Sequence, residues 1–171
     1  AREWTGSPDA RLWRFHLRDG AGFHDGTPCD ARAVALSLTR MARPDKGYTL
    51  GAPGVWHQYL GGAEIRPEGE RSLSIALRAP VADLLDVLAQ GFIAAPSMIA
   101  ALDAGDHTLP SGSGPYRITD VASDAINAAR VDGHPRATGP LKLAWRAAPD
   151  PAARCAGQGA GPGQGAPGEG M

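Results

Sequence analysis

The sequence predicts an α+β domain, and two local patterns carry that prediction. In the stretch RLWRFHLR, residues 11–18, apolar and polar residues alternate, which is typical of a half-buried strand. Further along, Val34, Leu38 and Met41 are spaced as the buried face of a helix. Because strands and helices interleave without a regular βαβ repeat, we expect an α+β fold rather than a parallel α/β sheet.

The predicted helix has a clear beginning and end. Asp30 is a good N-cap, since its side chain can accept a hydrogen bond from a free amide of the first turn. Arg40 and Arg43 place positive charge near the other end, where it opposes the helix dipole, and Pro44 stops the helix. His16 falls on the polar face of the preceding strand, which makes it an ordinary surface histidine.

The rest of the chain predicts a series of short elements. Pro80 precedes a helix with an apolar stripe that Gly91 ends, and a short strand and a helix capped by Ser97 or Pro96 follow. The remaining expected elements are a helix over 55–60, a hairpin turning at 67–70, and strands over 116–121, 125–131 and 141–146.

The composition changes after residue 150. Residues 151–171 are rich in glycine and proline and contain almost no large apolar side chain, so they cannot bury enough surface to offset the entropy of ordering. We therefore expect a folded part over 1–150 and a disordered Gly/Pro-rich tail over 151–171.

Charge and hydropathy limit the classes of partner. The formal net charge of the 171 residues is −1, which gives no field to attract nucleic acid or an anionic membrane. No stretch is long and apolar enough to span a bilayer, and no signal peptide is visible in this chain. Cys29 and Cys155 fit no metal-binding spacing; Cys29 is expected to act as a small buried apolar residue, and a disulfide between them would require an ordered tail.

No enzyme or metal motif emerges, so we expect no catalytic residue, metal or cofactor. The five histidines lack metal-ligand spacing, and no HExxH, CxxC or GxSxG is present. His24 and Asp25 are adjacent on an extended segment, so their side chains should point to opposite sides. The loop GSGPY at 112–116 contains a proline in place of an amide donor, which favours a turn with close backbone approach over a phosphate cradle. A small hydrolase that uses His24 or His57 remains an alternative.

Three blocks in a fixed order resemble one protein family. They are WRFHLRDGAGFHDGTPCDARAVALSLTR, SLSIALRAPVADLLDVLA and SGSGPYRI. Together they resemble the extracellular solute-binding proteins, family 5, of peptide/nickel ABC importers, which bind dipeptides and oligopeptides. The residues that match the family pattern most specifically are Phe23, His24, Asp25, Gly26, Thr27, Pro28, Gly112, Gly114, Pro115 and Tyr116.

The resemblance implies a fragment of the first lobe of a two-lobed periplasmic-binding-protein fold, with a mixed sheet and short helices. It implies the substrate-binding component of an ABC importer for peptide-like solutes, with a permease as partner of the full-length parent. It also implies a periplasmic protein or a cell-surface lipoprotein. A truncated remnant that binds nothing is the alternative. Residues 148–154 resemble a family segment that normally begins a helix, but the Gly-rich tail replaces the helix expected after them; a shifted reading frame is one hypothesis for this.

Within that resemblance, the matching blocks are expected to be architectural. Phe23 and His24 would anchor a loop, Asp25 and Gly26 would form its turn, and Thr27 and Pro28 would lead into the helix. Exposed aromatic side chains suit a pocket of broad specificity. The candidates to face the solute cleft are Trp56, Tyr59 and Phe92.

Overall fold

Two antiparallel sheets and four helices make up the described part of the chain. The computed structural model describes residues 1–45, 54–106 and 109–147. The strands are β1 (Glu3–Gly6), β2 (Leu12–His16), β3 (Glu64–Pro67), β4 (Ser72–Ala76), β5 (Tyr116–Val121), β6 (Ala125–Arg130) and β7 (Lys142–Arg146). The helices are α1 (Ala31–Ala42), α2 (Val55–Leu60), α3 (Leu84–Ala89) and α4 (Pro96–Ala104).

The first sheet has the strand order β1-β2-β4-β3, and every neighbouring pair is antiparallel. The predicted alternation in β2 is confirmed, because Trp13 and Phe15 are buried while Arg14 and His16 are exposed. Trp13 lies opposite Ile75 of β4 in the register. These apolar side chains pack with α1 and α2 into the main hydrophobic core. Strand β1 was not predicted.

Helix α1 agrees with its prediction. The Asp30 side chain accepts a hydrogen bond of 2.8 Å from the amide of Ala33, as expected of an N-cap. Val34, Leu38 and Met41 are all buried. The helix ends at Ala42, just before the proline that was expected to stop it.

Replacing Asp30 by alanine should lower the free energy of unfolding by about 1 kcal/mol, because the amide of Ala33 loses its capping acceptor. Chemical denaturation monitored by circular dichroism measures the change. Asp30→Asn, which keeps an acceptor oxygen, should lose less. Equal losses in both variants would mean that charge rather than the cap hydrogen bond stabilises this end of the helix.

The predicted strand before α4 is wrong. Residues 91–95 form no strand. Their amides bind elsewhere: Ala94 donates to the Ser37 hydroxyl over 3.1 Å, and Ala95 donates to the Ser111 carbonyl over 3.2 Å. The prediction of Ser97 or Pro96 as the cap is also wrong, since Ala95 is the N-cap and Pro96 occupies the first turn. Proline is favoured there because its missing N–H needs no partner.

The second sheet, in the order β5-β6-β7, extends the fold beyond the main core. A register shift between Ile118 and Asp120 marks a bulge in β5. Beyond it, Val121, Ile126 and Trp145 lie opposite one another, and all three are exposed. The predicted strands 116–121, 125–131 and 141–146 are thus confirmed to within one residue at their ends.

Several predictions concern residues outside the described ranges. They are the boundary at residue 150, the tail 151–171, Cys155 with its proposed disulfide, and the histidine at position 107. Within the described part of the chain, no helix has the length and hydropathy needed to cross a membrane.

Candidate functional site

The two most specific sequence blocks meet in space. We call residues 23–28 together with 111–114 the motif junction. The amide of His24 donates to the Gly112 carbonyl over 2.9 Å, and the His24 ring nitrogen Nε2 lies 2.9 Å from the Gly114 carbonyl oxygen. Because a carbonyl oxygen only accepts, Nε2 carries the hydrogen of this bond. The amide of Asp25 adds a bond of 3.2 Å to the Ser111 hydroxyl.

The Asp25 carboxylate binds different partners from the His24 ring. It accepts hydrogen bonds from the Thr27 amide over 3.0 Å, from the Thr27 hydroxyl over 2.6 Å and from the Ser97 hydroxyl over 2.5 Å. The bond from Ser97, followed by those from Thr27, lowers the pKa of Asp25 to about 2. The carboxylate therefore joins the loop to α4 instead of orienting an imidazole, and the two side chains do not form a catalytic dyad.

The depressed pKa of Asp25 predicts a loss of stability in acid. A carboxyl group whose pKa is lower when folded stabilises the protein above its unfolded pKa, and that contribution disappears as the pH falls towards about 2. Urea unfolding at pH 6, 4 and 2.5 should show a steeper decline for the parent chain than for Asp25→Asn.

Asp9 is the matched control for that experiment. The Ser7 hydroxyl lowers the pKa of Asp9 too, but Asp9 lies in the turn between β1 and β2, away from the junction. Asp9→Asn should retain the part of the acid sensitivity that comes from Asp25. Identical pH profiles for the parent and Asp25→Asn would contradict the assignment.

The rest of the first block shapes the loop itself. Phe23 is buried and packs against Ala33 of α1 and Ala95. Its amide donates to the Thr27 carbonyl over 2.8 Å, and the intervening Gly26 has a φ of +88°, in the region that favours glycine. Pro28 pairs with Gly22 in an isolated β-bridge just before α1.

The second block has glycines that the surrounding structure does not require. A Cβ atom built on Gly112 or Gly114 would meet no atom within 4 Å, and neither residue has a positive φ. The expected close approach of the backbone is present, since the Gly112 and Gly114 carbonyls both accept hydrogen bonds from His24, but it does not exclude a side chain at either position. Pro115 accepts a hydrogen bond from Val131, and the Tyr116 hydroxyl lies 2.9 Å from the Pro140 carbonyl oxygen, which ties the loop to the second sheet.

The three aromatic candidates occupy different environments. Trp56 of α2 is only 4% exposed and belongs to the main core, with its ring close to Gly91. Tyr59, on the same helix, is half-buried against that core. Phe92 follows Gly91 and is 83% exposed. Trp56 therefore has almost no surface to offer a solute, whereas Phe92 presents nearly its whole ring.

A cavity that the sequence did not reveal lies between the two sheets. It is a half-open cavity of about 680 Å³ beneath β2 and β4, and the turn at residues 134–136 faces it from the second sheet. Its wall is largely apolar and includes Phe15, Val34, Leu38, Leu73, Ile75, Leu85, Leu88 and Ile93. Only the tertiary arrangement brings these residues around one space, so no local pattern could have predicted it.

Charged groups also line this cavity. Arg18 and Asp19 lie at the end of β2, and Arg136 lies in the facing turn. Asp19 forms ion pairs with Arg71 and, over 3.9 Å, with Arg2. Among the described residues, no group of three His, Cys, Asp or Glu side chains is arranged to hold a metal.

Comparison with known proteins identifies the family. The family model "Bacterial extracellular solute-binding proteins, family 5 Middle" matches residues 1–157. The chain is 32% identical over 125 residues to the "Probable D,D-dipeptide-binding periplasmic protein DdpA" of Escherichia coli, covering 69% of this chain and 23% of that protein. It is 30% identical over 119 residues to the "Probable peptide ABC transporter periplasmic-binding protein y4tO" of Sinorhizobium fredii, and the alignment covers 67% of this chain and 20% of that protein.

Solved structures show the same fold. The binding protein AgaA of A. tumefaciens R10, in complex with agropinic acid, superposes with a TM-score of 0.78 at 25% identity, covering 91% of this chain and 32% of AgaA. DppA of Helicobacter pylori, in complex with the peptide STSA, gives a TM-score of 0.68 at 22% identity, and the superposition covers 91% of this chain and 35% of DppA.

The chain thus spans about a fifth to a quarter of its curated relatives and about a third of the solved structures. The predicted fold, part of a periplasmic binding protein, is confirmed. The expected mixed sheet is wrong for the described residues, because both of their sheets pair only antiparallel strands. On the match of the family model to residues 1–157, the chain belongs to the bacterial extracellular solute-binding proteins of family 5.

Proposed function

We propose that this chain is part of the first lobe of a substrate-binding component of an ABC importer for peptide-like solutes. The observation that carries the proposal is the alignment of more than two thirds of the chain with two relatives whose names describe peptide or D,D-dipeptide binding. The parent protein would act in the periplasm or as a cell-surface lipoprotein and pass its solute to a membrane permease. It would bind the solute without changing it chemically.

The described geometry suits a rigid part of one lobe of such a receptor. The motif junction fixes the 111–114 loop against α1 and α4 through His24 and Asp25, so these residues serve as scaffold rather than as solute ligands. Phe92 and the exposed part of Tyr59 are the aromatic surfaces proposed to meet a solute. A second lobe would close over the same solute, because a ligand that contacts both lobes favours the closed population.

A part of one lobe should bind solute poorly without the rest of the receptor. We expect the isolated chain to bind di- and tripeptides with dissociation constants weaker than about 100 μM, because the contacts from a second lobe are missing. Isothermal titration calorimetry with a peptide mixture measures this. A low-micromolar constant would contradict the division of the site between two lobes.

A chimera tests the function directly. The segment of E. coli DdpA that aligns with this chain is replaced by the matching segment of this chain, and binding of a D,D-dipeptide is measured. If the segment is a working lobe element, the folded chimera should bind within about tenfold of DdpA itself. The same chimera carrying Phe92→Ala tests the proposed contact surface.

Two results would overturn the proposal. A chimera that unfolds cooperatively in denaturant but binds no dipeptide would identify the segment as a remnant without binding function. Peptide hydrolysis by the purified chain that is lost on His24→Ala or His57→Ala would show an enzyme instead. Circular dichroism of each variant separates loss of function from loss of folding.

A further inference from the structure

The cavity beneath β2 and β4 combines an apolar wall with two arginines that form no ion pair with a carboxylate in the described part of the chain. We propose that it binds a small anionic amphiphile, a carboxylate with an extended apolar body, whose tail lies against the partly buried Leu85 and Leu88 and whose carboxylate meets Arg18 and Arg136. The proposal goes beyond the peptide-binding function proposed above: Gly91 and Ile93, on either side of Phe92, line the cavity, but the Phe92 ring is not part of its lining.

The wall provides the apolar contact. Its side chains come from both central strands, from α1 and from α3, so a bound tail would be surrounded from several directions. The volume of about 680 Å³ lies within the range in which small-molecule pockets usually fall.

The charges determine the sign of the ligand. Among the residues that the structure describes, no carboxylate forms an ion pair with Arg18 or Arg136. The nearby Asp19 is already paired with Arg71 and Arg2, so its charge is largely compensated. An ammonium amphiphile of the same length should therefore bind less well than a carboxylate.

Calorimetry on the full chain tests the proposal with a matched set of ligands, each used below its micelle concentration. The set is dodecanoate, octanoate and dodecylammonium. Dodecanoate should bind with a stoichiometry of one, and octanoate should bind at least tenfold more weakly, because each methylene contributes about fourfold to affinity. Dodecylammonium should also bind at least tenfold more weakly than dodecanoate.

Variants localise the binding. Arg18→Gln combined with Arg136→Gln should weaken dodecanoate at least tenfold, whereas Arg117→Gln, on an exposed position of β5, should not. Ala89→Trp places a large ring at an exposed position on the cavity lining and should block the tail without removing a core contact. Circular dichroism confirms that each variant is folded.

Three outcomes would overturn the proposal. No heat with dodecanoate on a folded chain means that the cavity does not accept an apolar tail. Equal binding of dodecanoate and dodecylammonium means that the arginines do not select the ligand. Unchanged affinity in both the double arginine variant and Ala89→Trp means that dodecanoate binds elsewhere on the chain.

Discussion

Replacing Trp56 by alanine is expected to lower the free energy of unfolding by about 3–5 kcal/mol. The side chain is 4% exposed and packs in the core that β2, β4, α1 and α2 share, so its removal leaves a large void. For a chain that represents about a third of its solved relatives, a loss of this size should leave a large unfolded population at 25 °C. Urea denaturation followed by circular dichroism measures it.

Phe92→Ala is the matched control, because it removes another aromatic ring that is 83% exposed. Its effect on the free energy of unfolding should stay within about 0.5 kcal/mol. If Trp56→Ala proved as mild as Phe92→Ala, Trp56 would not be a core residue, and its role as a solute contact would have to be considered again.

Replacing His24 by alanine is expected to cost about 1–3 kcal/mol, because the Gly114 carbonyl loses its hydrogen bond from Nε2. The other ring nitrogen, Nδ1, is buried without a hydrogen-bond partner in the described part of the chain, which offsets some of the stabilisation. The backbone bond from His24 to Gly112 does not depend on the side chain and should persist.

Amide hydrogen exchange shows which part of the structure the His24→Ala substitution destabilises. Protection should fall in the loop at 111–114 and in β5 and β6, while β2 and β4 should change little. His24→Gln, whose side-chain amide can reach a similar position, should restore part of the protection. Uniform loss of protection across both sheets would show that His24 stabilises the whole fold rather than the motif junction.

Local sequence patterns predicted most of the individual elements. The alternation in β2, the N-cap at Asp30 and the proline that follows α1 each depend on neighbours a few residues apart. The strand predicted before α4 failed because the amides of Ala94 and Ala95 bind Ser37 and Ser111, which are distant in sequence. Strand β1 was missed because all four of its residues are exposed and show no alternation of burial.

The candidate site was less predictable than the fold. The family blocks identified His24 and Gly114, but nothing local showed that the ring of one reaches the carbonyl of the other. Likewise, the environment of an aromatic residue on a short helix depends on what packs against it, so Trp56 and Tyr59 could not be told apart from sequence. The cavity is formed by strands, helices and a turn from both halves of the chain, and only their packing defines it.

The strand order of the first sheet has a consequence for how the chain folds. Strand β2 pairs with β1 through a short turn, but it also pairs with β4, so that Leu12 lies opposite Ala76. Pairing β2 with β4 closes the long loop between Leu12 and Ala76, which costs more conformational entropy than forming the β1-β2 hairpin or the β3-β4 hairpin. That cost grows only slowly with loop length. The two hairpins and α1 should therefore form early, and the rate-limiting step should be the docking of one hairpin against the other.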